Sequence, residues 1–313
     1  MANLLCVEAA GLCSVLPRIA QRRGLFHKYG VDVQLTPVSG VGLPELSATH
    51  AIAHMGVPAM LMLAARGESL NVLASFDTAR LSGCLVVAST IARPENLRGR
   101  RLGARLTGAA MWIHTVLALE RLGLRPLSGE VEIVEVGGPR EIVDALKAGR
   151  IDGAFLPRPY VAGLAGHGFS ILLDAASVEL WGAPDALVVS TRFYQEHPRE
   201  LEAIIAGMIE SAALLLSPHE RASAIQLLRS ELEFDDDTSA KIALHDLTRS
   251  LARKPLPDET RLRATQAVMS RQVPAVRKVR LEQLIDATIV SSLGRSGAID
   301  RVYSAYRCIE SCA

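Results

Sequence analysis

The chain of 313 residues carries no surplus of either charge: 34 lysines and arginines stand against 33 acids. There is therefore no global field to draw in nucleic acid or an anionic membrane surface, and recognition must rest on locally placed groups. The parts of a secretory leader are also missing in their usual order. MANLLCVEAAGLC has no Lys or Arg before Arg18 and carries Glu8 inside its apolar stretch, whereas a leader begins basic, continues apolar and ends at small residues. This opening reads as a first strand, and the chain as given reads as cytoplasmic, or periplasmic if a leader has been removed. No apolar run is long enough for a membrane span: Ala203 to Leu216 is too short and contains Glu210. The five cysteines, Cys6, Cys13, Cys84, Cys308 and Cys312, are odd in number and lack paired spacing, which favours reduced thiols over a disulfide framework. Asp235-Asp236-Asp237 lacks the glutamate that would complete a calcium loop and reads as a solvated helix start. His50 and His54 stand four apart, but no third zinc ligand is placed by sequence. No metal and no cofactor are implied.

What is present is enough apolar material, 49% of the residues, for one large core or two ordinary ones, and the length favours two lobes. Strand and helix signals alternate over the first 190 residues, as parallel strands with helical crossovers do. Strands are expected over Leu4–Val7, Val31–Leu35, Ala51–Gly56, Leu70–Phe76, Cys84–Ala88, Arg101–Leu106, Val131–Val136, Ile151–Leu156, Ser170–Leu173 and Leu187–Ser190. Helices are expected over Val15–Arg23, Pro44–Thr49, Ala59–Ala65, Ala109–Leu122, Arg140–Ala148 and Val161–Ala165, many closed by a glycine. The stretches starting at Gly42 and at Gly138 echo each other as turn, short helix, small strand, proline, helix, glycine and strand, which points to one duplicated unit per lobe. Beyond Ser190 the pattern is helical: Pro198–Leu216, Glu220–Glu233, Thr238–Leu251, Asp258–Met269 and Leu281–Leu293.

Three phrases resemble the periplasmic-binding-protein type II fold in its SsuA/THI5-like, or NMT1-like, branch of ABC transporter substrate-binding proteins. AQRRGLFHKYGVDVQL, from Ala20, resembles the opening helix, Gly-Leu-Phe turn and second strand. ALKAGRIDGAFLPRPYVAGL, from Ala145, resembles the repeated helix, Ile-Asp and strand. LVVSTRFYQEHPRELEAIIAGMIESA, from Leu187, resembles the return strand and the long helix after His-Pro. The resemblance implies an α/β, two-lobed architecture, each lobe a mainly parallel sheet flanked by helices, with a helical C-terminal region. One lobe would comprise residues 1–83 and 187–313 and the other 84–186, with crossings near Ser82–Val86 and Pro184–Val188 and a ligand cleft between them. It also implies a small-molecule ligand, an ABC transporter membrane complex as partner, and no nucleic acid.

In open α/β sheets ligands sit beyond the carboxyl ends of strands, where helix N-termini point unpaired N–H groups. Arg158, between Pro157 and Pro159, is a candidate for gripping a carboxylate, sulfonate or sulfinate with its planar fork; the alternative is a salt bridge at the cleft lip. Thr107, Gly108 and Ala109 offer a hydroxyl and consecutive amides at a strand-to-helix turn, or simply an N-cap. Gly11 and Ser14 flank Cys13 on the loop after the first strand. Cys13 is a candidate nucleophile, with His54 as proton carrier, if the chain is an enzyme; otherwise it is a small buried hydrophobe. Ser75, Asp77 and Trp181 are candidate cleft walls, whereas Trp112 lies within a helix and reads as core. Two functions follow: a solute-binding module closing on a small, anionic organic ligand of sulfonate or carboxylate type, or a cytoplasmic enzyme on the same fold, resembling the sulfinate desulfinases, in which Cys13 attacks sulfur.

Overall fold

The computed structural model describes residues 2–7, 12–38, 46, 52–78, 82–105, 109–164, 166–178 and 184–308, with side chains from Ser14 onward apart from positions 37 and 38. Two five-stranded sheets organise it. The first contains β1 (Ala2–Val7), β2 (Val33–Val38), β3 (Ile52–Gly56), β4 (Leu70–Ala74) and β10 (Asp185–Ser190), in the order β2-β1-β3-β10-β4. The second contains β5 (Cys84–Ala88), β6 (Arg101–Ala104), β7 (Glu132–Glu135), β8 (Gly153–Leu156) and β9 (Phe169–Asp174), in the order β7-β6-β8-β5-β9.

The two orders are the same topology written twice. In each sheet three neighbouring strands pair in parallel, and an inserted strand, β10 in the first and β5 in the second, runs antiparallel between the third of them and the edge strand. Four of five strands thus point one way, so the sheets are mainly parallel by direction. By hydrogen-bond ladder they are mixed, because β10 and β5 are antiparallel to both neighbours. Every residue of β3, β8 and β10 is buried, which is why these strands read as short apolar runs rather than alternating ones. At Gly153 a side chain would not fit: a Cβ would lie 2.8 Å from the Val86 carbonyl oxygen.

Thirteen α-helices cover the described parts of the sheets. Those that bear on the site are α3 (Val57–Ala65), α4 (Ala110–Arg121), α5 (Pro139–Lys147), α6 (Arg158–Ala162), α8 (Pro198–Leu216), α10 (Asp237–Ser250), α11 (Glu259–Met269) and α12 (Thr288–Arg295). The longest, α8, buries Leu201, Ile204, Ile205, Met208 and Ile209 against Leu16, Ile19, Phe26 and Leu187 in one apolar cluster. On the other face of the first sheet, Met55, Met60, Val188 and Leu262 pack with Trp112, which is 4% exposed and belongs to the core as expected. The acidic run starts α10: Asp236 accepts a hydrogen bond from the Ser239 N–H at 2.8 Å, the N-cap its composition indicates.

Two expected helices are displaced. Leu281–Leu293 is broken into a 3-10 turn (Leu281–Gln283), an extended bridge at Ile285 and α12. The break satisfies the outer edge of β4, where Val72 donates to Leu284 O at 2.7 Å and accepts from the Asp286 N–H at 3.0 Å, so an edge that would otherwise be open is covered. The helix expected at Val161 begins at Arg158 instead, because Pro157 and Pro159 hold the backbone angles that a helix start needs. The expected helix Pro44–Thr49 lies outside the described residues except for Leu46, which is helical.

Candidate functional site

The strand tips meet where the chain passes between the sheets. β3 runs from Gly56 directly into α3, whose first residue, Val57, donates its N–H to Pro184 O at 2.9 Å. β10 starts at the next residue, Asp185, in register with Gly56. A Cβ on Gly56 would lie 3.7 Å from the Ala110 Cβ and 3.9 Å from Asp185 Oδ1. Ala110 opens α4, the helix that follows β6 of the other sheet. The N-termini of α3 and α4 and the head of β10 therefore share one small volume.

The end of β4 ties this volume together. The Ser75 hydroxyl donates to Asp185 O at 2.7 Å and the Asp185 N–H donates to Asp77 Oδ2 at 3.1 Å, so the two crossing segments are joined by side chains. The same stretch is held from the tail: Ser75 N–H donates to Pro255 O at 3.0 Å, Thr78 N–H to Ser250 O at 2.7 Å, and Phe76 O accepts from the Ala252 N–H at 2.8 Å. Ser75 is buried, and its side chain is taken up by the crossing. Asp185 itself is 1% exposed, its Oδ2 has no hydrogen-bond partner among the described residues, and burial, followed by the nearby Asp77, raises its pKa well above the carboxylate range.

His54 lies two residues before the tip of β3, buried, with its ring edge-on to Phe76 at 6.3 Å between centroids. Among the described residues neither ring nitrogen has a hydrogen-bond partner, and burial lowers its pKa to about 4, so the imidazole is neutral. Of the first loop, Cys13 and Ser14 fall in a 3-10 turn (Leu12–Val15) and Ser14 is half-buried. Gly11, Thr107, Gly108 and Trp181 lie outside the described residues, as does the side chain of Cys13. Ala109 is the N-cap residue of α4, with extended backbone and no side-chain cap.

Arg158 is the first residue of α6, and its guanidinium pairs with Asp174 Oδ2 at 2.5 Å. Asp174 ends β9, so the acid that answers Arg158 belongs to the same sheet rather than to the other lobe. Beside the pair is a cavity of about 470 Å³ lined by Cys84, Ile171, Lys241, His245 and Asp246. Burial first and then Asp174 push the Cys84 thiol up to about 11 against the opposing effect of Arg158, which makes it a poor nucleophile. Asp246, on α10, is buried and also raised by burial. A hollow of about 500 Å³ between Tyr29, Arg199, Ile209 and Ile299 lies among helices away from the strand tips.

Asp174, Asp185 and Asp246 were not among the residues that strand-end reasoning selects. A signal existed for two of them. Asp185 heads a buried strand with the apolar run Ala186–Val189 directly after Pro184, and Asp246 falls on the buried stripe of α10 with Ala243 and Leu247.

A family model described as "NMT1-like family" matches residues 13–229. The chain belongs to the NMT1-like family. Among curated proteins, a taurine-binding periplasmic protein of Escherichia coli strain K12 is 32% identical over 162 residues, which cover 51% of this chain and 49% of the relative. The alignment thus spans about half the length of that relative. Among solved structures, the alkanesulfonate-binding protein SsuA from Xanthomonas axonopodis pv. citri, bound to MOPS, superposes with a TM-score of 0.71 over 92% of this chain and 98% of its own, at 16% identity. The desulfurization enzyme DSZB, as a mutant in complex with biphenyl-2-sulfinic acid, superposes with a TM-score of 0.68 over 94% and 100%, at 17% identity. Both structural likenesses carry the fold, which is the two-lobed periplasmic-binding-protein type II architecture expected from the sequence.

Proposed function

We propose that this NMT1-like protein is a solute-binding protein whose two lobes, residues 84–186 and residues 1–83 with 187–313, close on a small organic anion of sulfonate type. The reading is carried by the convergence of α3 and α4, one from each sheet, with their first turns within contact distance. The positive ends of two helix dipoles brought to one place favour an anion, and closing a hinge over it removes competing water. The taurine-binding relative and the sulfonate-binding structural neighbour support the ligand class. Thr107, Gly108 and Ala109 would supply amides and a hydroxyl, and Gly11, Ser14 and Trp181 would complete the walls. Arg158, half-exposed and already paired to Asp174, would act as a cation at the rim, exchanging its partner for the anion. By analogy with the taurine-binding periplasmic relative the protein would work in the periplasm, and the binding-protein fold would suit delivery of its ligand to an ABC transporter membrane complex.

The likeness to the sulfinate-bound enzyme supports a second reading, hydrolytic desulfination through Cys13. His54 argues against it, since an imidazole sealed against Phe76 and neutral down to about pH 4 is poorly arranged to relay protons at neutral pH. Titration calorimetry with alkanesulfonates, sulfinates and carboxylates, alongside an assay for released sulfite, separates the two. Saturable sulfonate binding without product, unchanged in Cys13→Ser, is expected. Sulfite release from a sulfinate that is lost in Cys13→Ser would overturn it, as would failure to bind any of the anions.

A further inference from the structure

The helical tail grips the second lobe on both faces of its sheet, and the two grips are built differently. α4 covers one face, with Ala118 and Leu119 against Leu85 and Val87, while α5 and α6 cover the other, with Ile142 and Val161 against Cys84 and Val86. Tail helix α11 meets α4. There Leu262, Val268 and Met269 share one buried apolar cluster with Trp112, Ile113 and Val116, and Arg271 pairs with Glu120 beside it. Tail helix α10 meets α6. There, among the described residues, the two apolar cores stay separate: Ala240, Ala243 and Leu244 belong to that of the first lobe, Leu146 and Leu164 to that of the second.

What fastens the α10 flank is the turn after α9 (Arg221–Glu231). The guanidinium of Arg140, on α5, donates to Leu232 O at 3.2 Å and to Glu233 O, and pairs with the Glu233 carboxylate at 3.0 Å. Phe234 meets the Tyr160 ring edge-on, 5.4 Å between centroids. Glu233 has a φ of +53°, and the Phe234 N–H donates back to Arg229 O at 2.9 Å, so Glu233 stands where a glycine usually ends a helix. A glutamate there gives the turn a charged arm towards the second lobe. Cavities of about 470 and 240 Å³ lie along this flank. Parting the α11 flank would bring Trp112, 4% exposed, and its apolar neighbours into water, whereas the half-exposed and exposed groups at the turn exchange their partners for water at little cost.

We propose that the second lobe opens on one side only, pivoting on the apolar seam between α4 and α11, and that the Glu233–Phe234 turn is the latch that holds the other side shut. This goes beyond the solute-binding reading and takes from it only that the lobes move. The edges that part carry Arg158 on α6 and Lys241 on α10, which face one cavity, so an anion enters past two cations.

The test measures distances by pulsed electron paramagnetic resonance on the full chain, with spin labels on genetically encoded ketone side chains at exposed positions. One pair spans the latch, Asp144 with Asp235, and the other spans the seam, Arg121 with Gln272. When Arg140→Ala and Phe234→Ala are combined, the latch pair should shift to longer distances, the open population rising roughly threefold to tenfold. The seam pair should keep the distribution it has in the unaltered protein. Glu120→Gln, which removes the ion pair at the seam, should move neither. A latch pair that stays in place overturns the inference, as do two pairs that lengthen together or a seam pair that moves alone. Should the double variant not fold, Glu233→Gly decides the matter: it keeps the left-handed backbone, removes the carboxylate, and should shift the latch pair the same way by a smaller amount. The solute-binding reading is judged separately by the calorimetry and survives each of these failures.

Discussion

Acid should destabilise this fold through two histidines that it buries neutral. His54 lies 1% exposed beside Phe76, and His114 lies 8% exposed on α4 with its ring 5.7 Å from that of Phe155. Burial lowers each from the ordinary 6.5 to about 4. Between those values the unfolded chain binds protons that the folded chain refuses, so folding free energy falls as pH falls through 6.5 and levels off near pH 4. At pH 5 each histidine removes about 2 kcal/mol relative to neutral pH, and the pair about 4 kcal/mol. That is a large part of the roughly 5–15 kcal/mol that holds a domain folded. Asp185 and Asp246 act in the opposite sense, since carboxyls raised by burial favour the folded state as they take up protons. The absolute pH profile therefore mixes the two, and the comparison to make is between variants. Urea unfolding at pH 7.5 and pH 5 should show the unaltered protein losing about 2 kcal/mol more over that interval than His54→Phe, whose ring fills the same space. Equal losses, within about 0.5 kcal/mol, would refute the assignment of a neutral, partnerless imidazole to His54.

Three further outcomes are expected. Glu210, buried on α8, accepts from Lys28 Nζ at 2.6 and 2.7 Å, from the Tyr29 hydroxyl at 2.8 Å and from the Tyr306 hydroxyl at 2.9 Å. Glu210→Gln should cost roughly 2 kcal/mol by denaturant titration and move both phenols, raised first by burial and then by Glu210, downward in an ultraviolet pH titration. Gly153→Ala drives a methyl group to 2.8 Å from a carbonyl oxygen and 2.9 Å from Val87 Cγ1; a loss of about 1–3 kcal/mol in thermal unfolding is expected. Asp236→Ala removes the cap of α10 and should cost about 1 kcal/mol, read in the same assay, with a normal fold by circular dichroism.

The fold is legible in this sequence where burial is two-sided and uniform. β3, β8 and β10 are buried throughout and mostly apolar because both faces are covered, and α8 begins at the Pro198 and ends at the Leu216 that its periodicity indicates. Leu281–Leu293 misleads because its apolar spacing suits a helix equally well, and only the open edge of β4 decides otherwise. Strand-end reasoning names Ser75, Asp77, Ala109 and Arg158 as candidates but cannot assign their partners. Asp174 is distant enough in sequence that nothing announces it as the acid facing Arg158. The prolines around Arg158 point to rigidity and are silent on its form, which is a helix start rather than an extended lip.

Each sheet has one antiparallel strand inserted near its edge, β10 between β3 and β4 and β5 between β8 and β9, but only β10 comes from beyond the other sheet's stretch of chain. During synthesis the first four strands emerge well before their missing neighbour: β4 ends at Ala74 and β10 begins at Asp185. For that interval two apolar edges, those of β3 and β4, have no internal mate, a state prone to wrong pairing and to capture by chaperones. The second sheet suffers no such delay, since β5 precedes β6 through β9. Assembly on the ribosome is therefore expected to finish the later sheet first, and an excised N-terminal fragment ending before Asp185 should be insoluble on its own.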